Sequence, residues 1–205
     1  MAHVTVHGLP PSSYTRTVLM TCLEKGITYE FEAPNLLAPG YDALHPYRKV
    51  PVLEHGDVRL FETSAIVRYL DHVFDGPNLT PTDPVARAEM DKWISVVNCY
   101  LYPNAVPNHI LQFVFPRGPG GKPDRTIIDA TAPKIAKSTT LLNARLQGRK
   151  FLAGDALSLA DLMVLPIIAT LSDMPTSDAT LKDVPHLKRW FSAMAERESF
   201  KKVQP

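Results

Sequence analysis

Three short polar clusters carry the residue types from which a binding or catalytic site is built. Ser12 and Ser13 follow Gly8-Leu9-Pro10-Pro11 and stand between a short apolar alternation and an amphipathic run. Lys49-Val50-Pro51 opens a second alternation, and Glu62-Thr63-Ser64 opens a second amphipathic run. The first turn of a helix has N–H groups without intrahelical partners and the positive end of the helix dipole, so it suits a thiolate or a carboxylate. In a β-α-β-β-α unit these segments can converge on one edge of the sheet, where two helix starts would offer a place for such a group. Each residue also has a plain structural use: Ser12 or Ser13 as an N-cap, Lys49 as a solvated cation, Glu62 as a first-turn acid.

Other chemistries find little support. The seven histidines contain no HExxH motif, and no metal site is expected. There is no GxGxxG, and Gly118-Pro119-Gly120-Gly121 lacks a following Lys-Ser/Thr, so no phosphate loop is expected. Lys+Arg number 22 against Asp+Glu 21, giving a net charge of +1 and no broad field for nucleic acid or an anionic membrane. No apolar run approaches the roughly 20 residues that span a bilayer. Met1-Ala2-His3-Val4 lacks the basic and apolar regions of a secretory signal. Cys22 and Cys99 form no CxxC pair, which argues against a disulfide scaffold or zinc ribbon and for reduced thiols in a cytoplasmic protein.

The elements that must position the clusters follow from periodicity. Val4-Thr5-Val6 alternates as a strand; Val18, Leu19, Cys22 and Leu23 share a helical face ended by Lys25-Gly26; Ile27 to Phe31 alternates again. Strand, helix, strand predicts a right-handed crossover between parallel strands. Ala33 to Tyr47 reads as a loop with a short helix. Pro51 to Glu54 and Val58 to Phe61 flank His55-Gly56-Asp57 as a hairpin, and a helix from Thr63 carries Ile66, Tyr69, Leu70 and Val73. Asp75 to Pro84 is the clearest boundary, predicting an α/β domain over 1–75 and an all-helical domain over 85–205. In that second part the stripe Ala86, Met90, Trp93, Ile94, Val97, Leu101 is disturbed at Pro103 and Pro107. Helices are also expected over most of Arg125 to Leu146 and from Pro185. Ser158-Leu159-Ala160-Asp161 is a capping box stapled by Leu157 and Leu162; the alternative for Asp161 is a catalytic acid.

Gly8 to Leu19 followed by Glu24-Lys25-Gly26 resembles the start of a serine-type (phi-, theta- or bacterial-like) cytosolic glutathione S-transferase. His45-Pro46-Tyr47-Arg48-Lys49-Val50-Pro51-Val52-Leu53 is similar to that family's Asn-Pro-x-Gly-Lys-Val-Pro-x-Leu, with His45 for asparagine and Arg48 for glycine. Phe61 to Leu70 is similar to its Glu-Ser-x-Ala-Ile-x-x-Tyr-Leu, with Thr63 in the serine place. Ser158 to Asp161 lies where the family has its capping box, and the likeness covers nearly the whole chain.

The resemblance implies a thioredoxin-like domain, then an all-helical domain contributing an electrophile pocket, assembled as a homodimer. It implies glutathione as co-substrate, no cofactor and no metal, and conjugation to small hydrophobic electrophiles, a detoxification chemistry. It assigns Ser12 as the thiolate-stabilising hydroxyl, with Ser13 as the fallback. Lys49 would meet the glycyl carboxylate, and a cis Pro51 would present the Val50 backbone to the cysteinyl unit. Glu62 would face the γ-glutamyl amine, and Thr63 the neighbouring carboxylate. Tyr102, His109 and Phe113 are read either as pocket or as packing residues. A non-catalytic glutathione-fold binding or carrier protein is the alternative. A thiol-disulfide enzyme is disfavoured, because the only cysteine on the first helix, Cys22, lies about three turns from its start.

Overall fold

The computed structural model describes residues 3–205; Met1 and Ala2 of the N-terminal run lie outside the described residues. These residues divide into two compact units, one running to Thr80 and including Ala195–Pro205, the other Pro81–Met194.

In the first unit, β1 (His3–His7) buries Val4 and Val6 on one face, as its alternation requires. Gly8 then lets the chain turn against α1 (Ser13–Lys25): a Cβ there would stand 2.3 Å from the Thr15 Cγ2. Gly26, at φ 69°, ends α1 in the left-handed conformation that glycine adopts most easily. β2 (Thr28–Glu32) returns parallel to β1, while β3 (Val52–His55) runs antiparallel to β1, and β4 (Val58–Phe61) antiparallel to β3. The sheet order is β2-β1-β3-β4, followed by α2 (Thr63–Val73). Val18, Met20 and Cys22 from α1 and Ile66, Val67 and Leu70 from α2 are fully buried. Each such aliphatic side chain contributes about 1.5–3 kcal/mol. Lys25 closes α1 onto α2 through a buried pair with Asp71 (3.1 Å), whose carboxylate also accepts the Leu79 N–H (2.9 Å). The expected order of strands and helices is observed.

Every regular element described in the second unit is helical, and its α-helices are α3 (Pro84–Val96), α4 (Tyr102–Ala105), α5 (Leu111–Val114), α6 (Arg125–Arg145), α7 (Leu159–Ser172), α8 (Ser177–Thr180) and α9 (Pro185–Ala195). The expected disturbance at Pro103 and Pro107 is absorbed rather than broken. α3, α4 and α5 are continuous through two wider π turns, Val97–Leu101 and Val106–Ile110. The carbonyl of Pro103, which Pro107 has no N–H to serve, accepts instead from Asn108 Nδ2 (2.7 Å). α7 is apolar on all sides and buried along nearly its whole length, so it forms the centre of this unit.

The boundary near Pro84 suggests a helical domain running to residue 205, yet the tail from Ala195, with α10 (Glu198–Lys201), joins the first unit. The physical cause is a set of contacts on α1. Arg197 forms two bonds to the Glu24 carboxylate (2.8 and 2.6 Å), and Ser199 Oγ donates to the same group. The buried Arg16 guanidinium lies 5.1 Å from the Phe200 ring centroid and donates to Gln204 (3.2 Å).

Candidate active site

Strand register brings the three clusters to one edge of the sheet. His7, the last residue of β1, lies opposite Val52, the first of β3, and Val52 lies opposite Phe61, the last of β4. Neighbouring strands are about 4.8 Å apart, so the segments leaving this row emerge side by side. They are the turn to Ser12 and α1, the segment Lys49–Pro51, and the Glu62–Thr63 start of α2.

Ser12 is the N-cap of α1, its Oγ accepting the Thr15 N–H (3.3 Å) and its carbonyl the Arg16 N–H (2.9 Å). A hydroxyl has one donor and two acceptor sites, so capping leaves the Ser12 proton able to donate elsewhere. Ser13 follows as the first helical residue; its hydroxyl is buried and has no partner among the described residues.

Lys49 is exposed, and the Val50–Pro51 peptide bond is cis, as the motif implies. Sequence reasoning missed what holds this segment. The Tyr41 hydroxyl, from a 3-10 turn over Tyr41–Ala43, donates to the Lys49 carbonyl (2.7 Å). Arg48 stands at φ 51°, in the left-handed region, where the resembled motif carries glycine. Its guanidinium reaches Leu36 O (3.0 Å), Ala38 O (2.7 Å) and Asp42 (3.2 Å), contacts that offset the backbone strain and tie the preceding loop. His45 is buried, and its Nδ1 accepts the Tyr47 N–H (3.2 Å).

Glu62 precedes α2 with φ 73° and makes no side-chain cap bond. A non-glycine residue in that region costs of order 1–3 kcal/mol, and such strain gathers at sites where a side chain must be presented. Nothing in the residue pattern signals it. Beside it, Thr63 is buried, and its Oγ1 finds no partner among the described residues. Buried hydroxyls are nearly always bonded, so this one is suited to a ligand atom.

Three other candidates have structural surroundings of their own. Burial pushes the Cys22 thiol up to about 12, opposed by a weaker backbone bond, which removes it as a nucleophile. His109 is fully buried between Thr131 Oγ1 (3.1 Å) and Thr176 Oγ1 (2.7 Å), a packing role, with Phe113 against its ring (6.0 Å). Asp161 completes the capping box of α7 inside the helical unit. Among the described residues, no group of three His, Cys, Asp or Glu side chains is placed to hold a metal ion.

Comparison with known proteins agrees with this geometry. Residues 6–78 match the family model of the glutathione S-transferase N-terminal domain, and residues 101–198 that of the C-terminal domain. Glutathione S-transferase 3 of Zea mays is 32% identical over 99% of this chain and 94% of its own. The crystal structure of glutathione transferase F7 from Populus trichocarpa superposes with a TM-score of 0.88 at 32% identity, covering 98% of this chain and 97% of that one. A theta class glutathione S-transferase from Xanthomonas axonopodis pv. citri, solved with glutathione bound, gives 0.84 at 27% identity, with coverage of 99% and 97%.

Proposed function

This chain belongs to the glutathione S-transferase family and is an enzyme that conjugates glutathione to small electrophiles; on that premise we propose that the sheet edge described above is its glutathione site, with Ser12 stabilising the thiolate. The observation that carries the proposal is the buried, unpartnered Thr63 hydroxyl beside the strained Glu62 at the start of α2. Thr63 donates to the γ-glutamyl carboxylate, with the α2 dipole behind it, and Glu62 accepts from the γ-glutamyl ammonium. The Val50 backbone, leading into Pro51, pairs with the cysteinyl unit, and Lys49 meets the glycyl carboxylate. The peptide is thereby held at both ends, with its sulfur toward Ser12.

A free thiol has a pKa of about 8.5, leaving only a few per cent thiolate at neutral pH. Lowering it by ~2 units takes about 2.7 kcal/mol of differential stabilisation. The Ser12 O–H bond and the α1 N-terminus are of the right size together. The thiolate sulfur then forms a bond to the electrophilic carbon, and the leaving group departs with its electron pair. Holding sulfur and carbon in line supplies the rest of the acceleration.

Glu62→Ala tests the binding assignment. Losing one charge-assisted bond should weaken glutathione binding about tenfold or more in calorimetry. The thermal midpoint should hardly move, because alanine inherits the same backbone strain and Glu62 is exposed. Unaltered affinity counts against the site.

Glutathione serves as co-substrate, and no metal or other cofactor is proposed. A homodimer is proposed from the family pattern, and sedimentation should give a species of about twice the 22.8 kDa chain mass. A 22.8 kDa monomer throughout the micromolar range would refute it. No helix among the described residues is long and apolar enough to cross a membrane. A cytoplasmic location is proposed from the two free cysteines, Cys22 and Cys99.

A further inference from the structure

We propose that His45 is a pH-sensitive positioning residue for glutathione: neutral, it fixes the turn that presents Lys49 and Val50, and protonated, it releases that turn and weakens binding. The inference rests on the glutathione site proposed above.

The geometry assigns the protonation state. The Tyr47 N–H can only donate, so the Nδ1 that accepts it must carry a lone pair, which leaves the ring proton on Nε2. The His45 backbone takes part in the same turn, its carbonyl accepting the Arg48 N–H (2.8 Å) and its N–H donating to Tyr41 O (3.0 Å). Tyr41 in turn holds the Lys49 carbonyl. On its other side the ring lies 4.9 Å from that of Phe61, the residue before Glu62. One buried side chain therefore joins the lysine segment to the start of α2.

A proton on Nδ1 would face the Tyr47 N–H donor to donor at 3.2 Å, and the attraction would become a repulsion. Burial disfavours the cation and holds the His45 pKa below the ordinary histidine range; Glu62 pulls the other way, and Lys49 adds to the lowering. Asp42, from the adjacent 3-10 turn, is engaged with Arg48. The neutral form is thus the resident one near pH 7, and release belongs to the acid side. The resembled motif has asparagine at this position, whose amide oxygen can accept an N–H at any of these pH values. Replacing it by histidine adds a titration to an otherwise pH-independent turn.

The test uses S-methylglutathione, whose thioether cannot ionise, so that thiolate formation does not enter the profile. Calorimetry on the parent should show the dissociation constant rising about tenfold between about pH 7.5 and about pH 5. His45→Asn should flatten that rise to within about twofold. An acid rise that persists in His45→Asn overturns the proposal. So does a flat profile in the parent, a result that needs no variant to fold. Lys49→Ala separates this from the reading beneath it. If Lys49→Ala weakens binding at both pH values while the parent stays flat, only the role of His45 fails. If Lys49→Ala leaves affinity unchanged, the glutathione site fails and this inference with it.

Discussion

Asp161→Ala should destabilise the helical unit by about 3–5 kcal/mol, the largest loss expected of any single substitution considered for this protein. The Asp161 carboxylate is fully buried and accepts four bonds: from Leu152 N (2.9 Å), Ser158 N (3.1 Å), Ser158 Oγ (2.7 Å) and Trp190 Nε1 (3.1 Å). Truncation strands donors from three separate segments, each costing about 1–3 kcal/mol when left unpaired. Both tryptophans, Trp93 and Trp190, lie in this unit, so fluorescence during denaturation reports on it selectively. Burial pushes the Asp161 carboxyl up to about 6, against the pull of its four donors. A folded pKa above the unfolded one means that this group's contribution is complete below about pH 4 and is lost as pH rises through 6. Asp161→Asn, which does not titrate, should therefore cost more near pH 5 than near pH 8. An unchanged denaturation midpoint in Asp161→Ala would refute the structural role, and loss of activity in molecules shown to be folded would revive the catalytic one.

That capping box was legible because every residue in it is within a few positions of the next. The same holds for the Ser12 cap and the Gly26 stop around α1, and for the hairpin formed by β3 and β4. These signals depend on local geometry, which a linear pattern records directly. The convergence of the three clusters on one sheet edge was legible only as an arrangement the β-α-β-β-α order allows. It depends on β3 rather than β4 pairing with β1, a non-local choice that alternating residues do not encode. The family resemblance supplied the roles of Lys49, Glu62 and Thr63; the residue pattern alone left Lys49 and Glu62 with ordinary structural uses. The return of the tail to α1 rests on a Glu24–Arg197 pair 173 residues apart, with no periodic trace. The φ of Glu62 and the Nδ1 bond of His45 belong to the same class. Each is imposed by surrounding structure on a residue type that does not favour or announce it.

Ser12→Ala should lower turnover by about 10- to 100-fold and move the pH–rate midpoint upward, toward the free thiol value of about 8.5. A neutral hydroxyl stabilises a thiolate only by donating to it, and a charge-assisted bond contributes ~1.5–3 kcal/mol, which is one to two decades in rate. The proton is available because Ser12 caps α1 with its lone pair and not with its hydrogen. The same bond means that alanine also removes a cap, at a cost of about 0.5–2 kcal/mol in stability, whereas glycine loses only a few tenths. Comparing Ser12→Ala with Ser12→Gly separates the two effects: turnover and the pH midpoint should shift equally in both, and the thermal midpoint should fall more in alanine. Glutathione affinity should change much less than turnover, since Lys49, Glu62 and Thr63 still hold the peptide ends. Ser13 makes the contrast. Its hydroxyl is buried without a partner among the described residues, and removing an unsatisfied polar group costs little or is slightly stabilising. Ser13→Ala should accordingly retain parental turnover and pH midpoint at equal or slightly higher stability. The assignment to Ser12 fails if the upward pH shift appears in Ser13→Ala and is absent from both Ser12 variants.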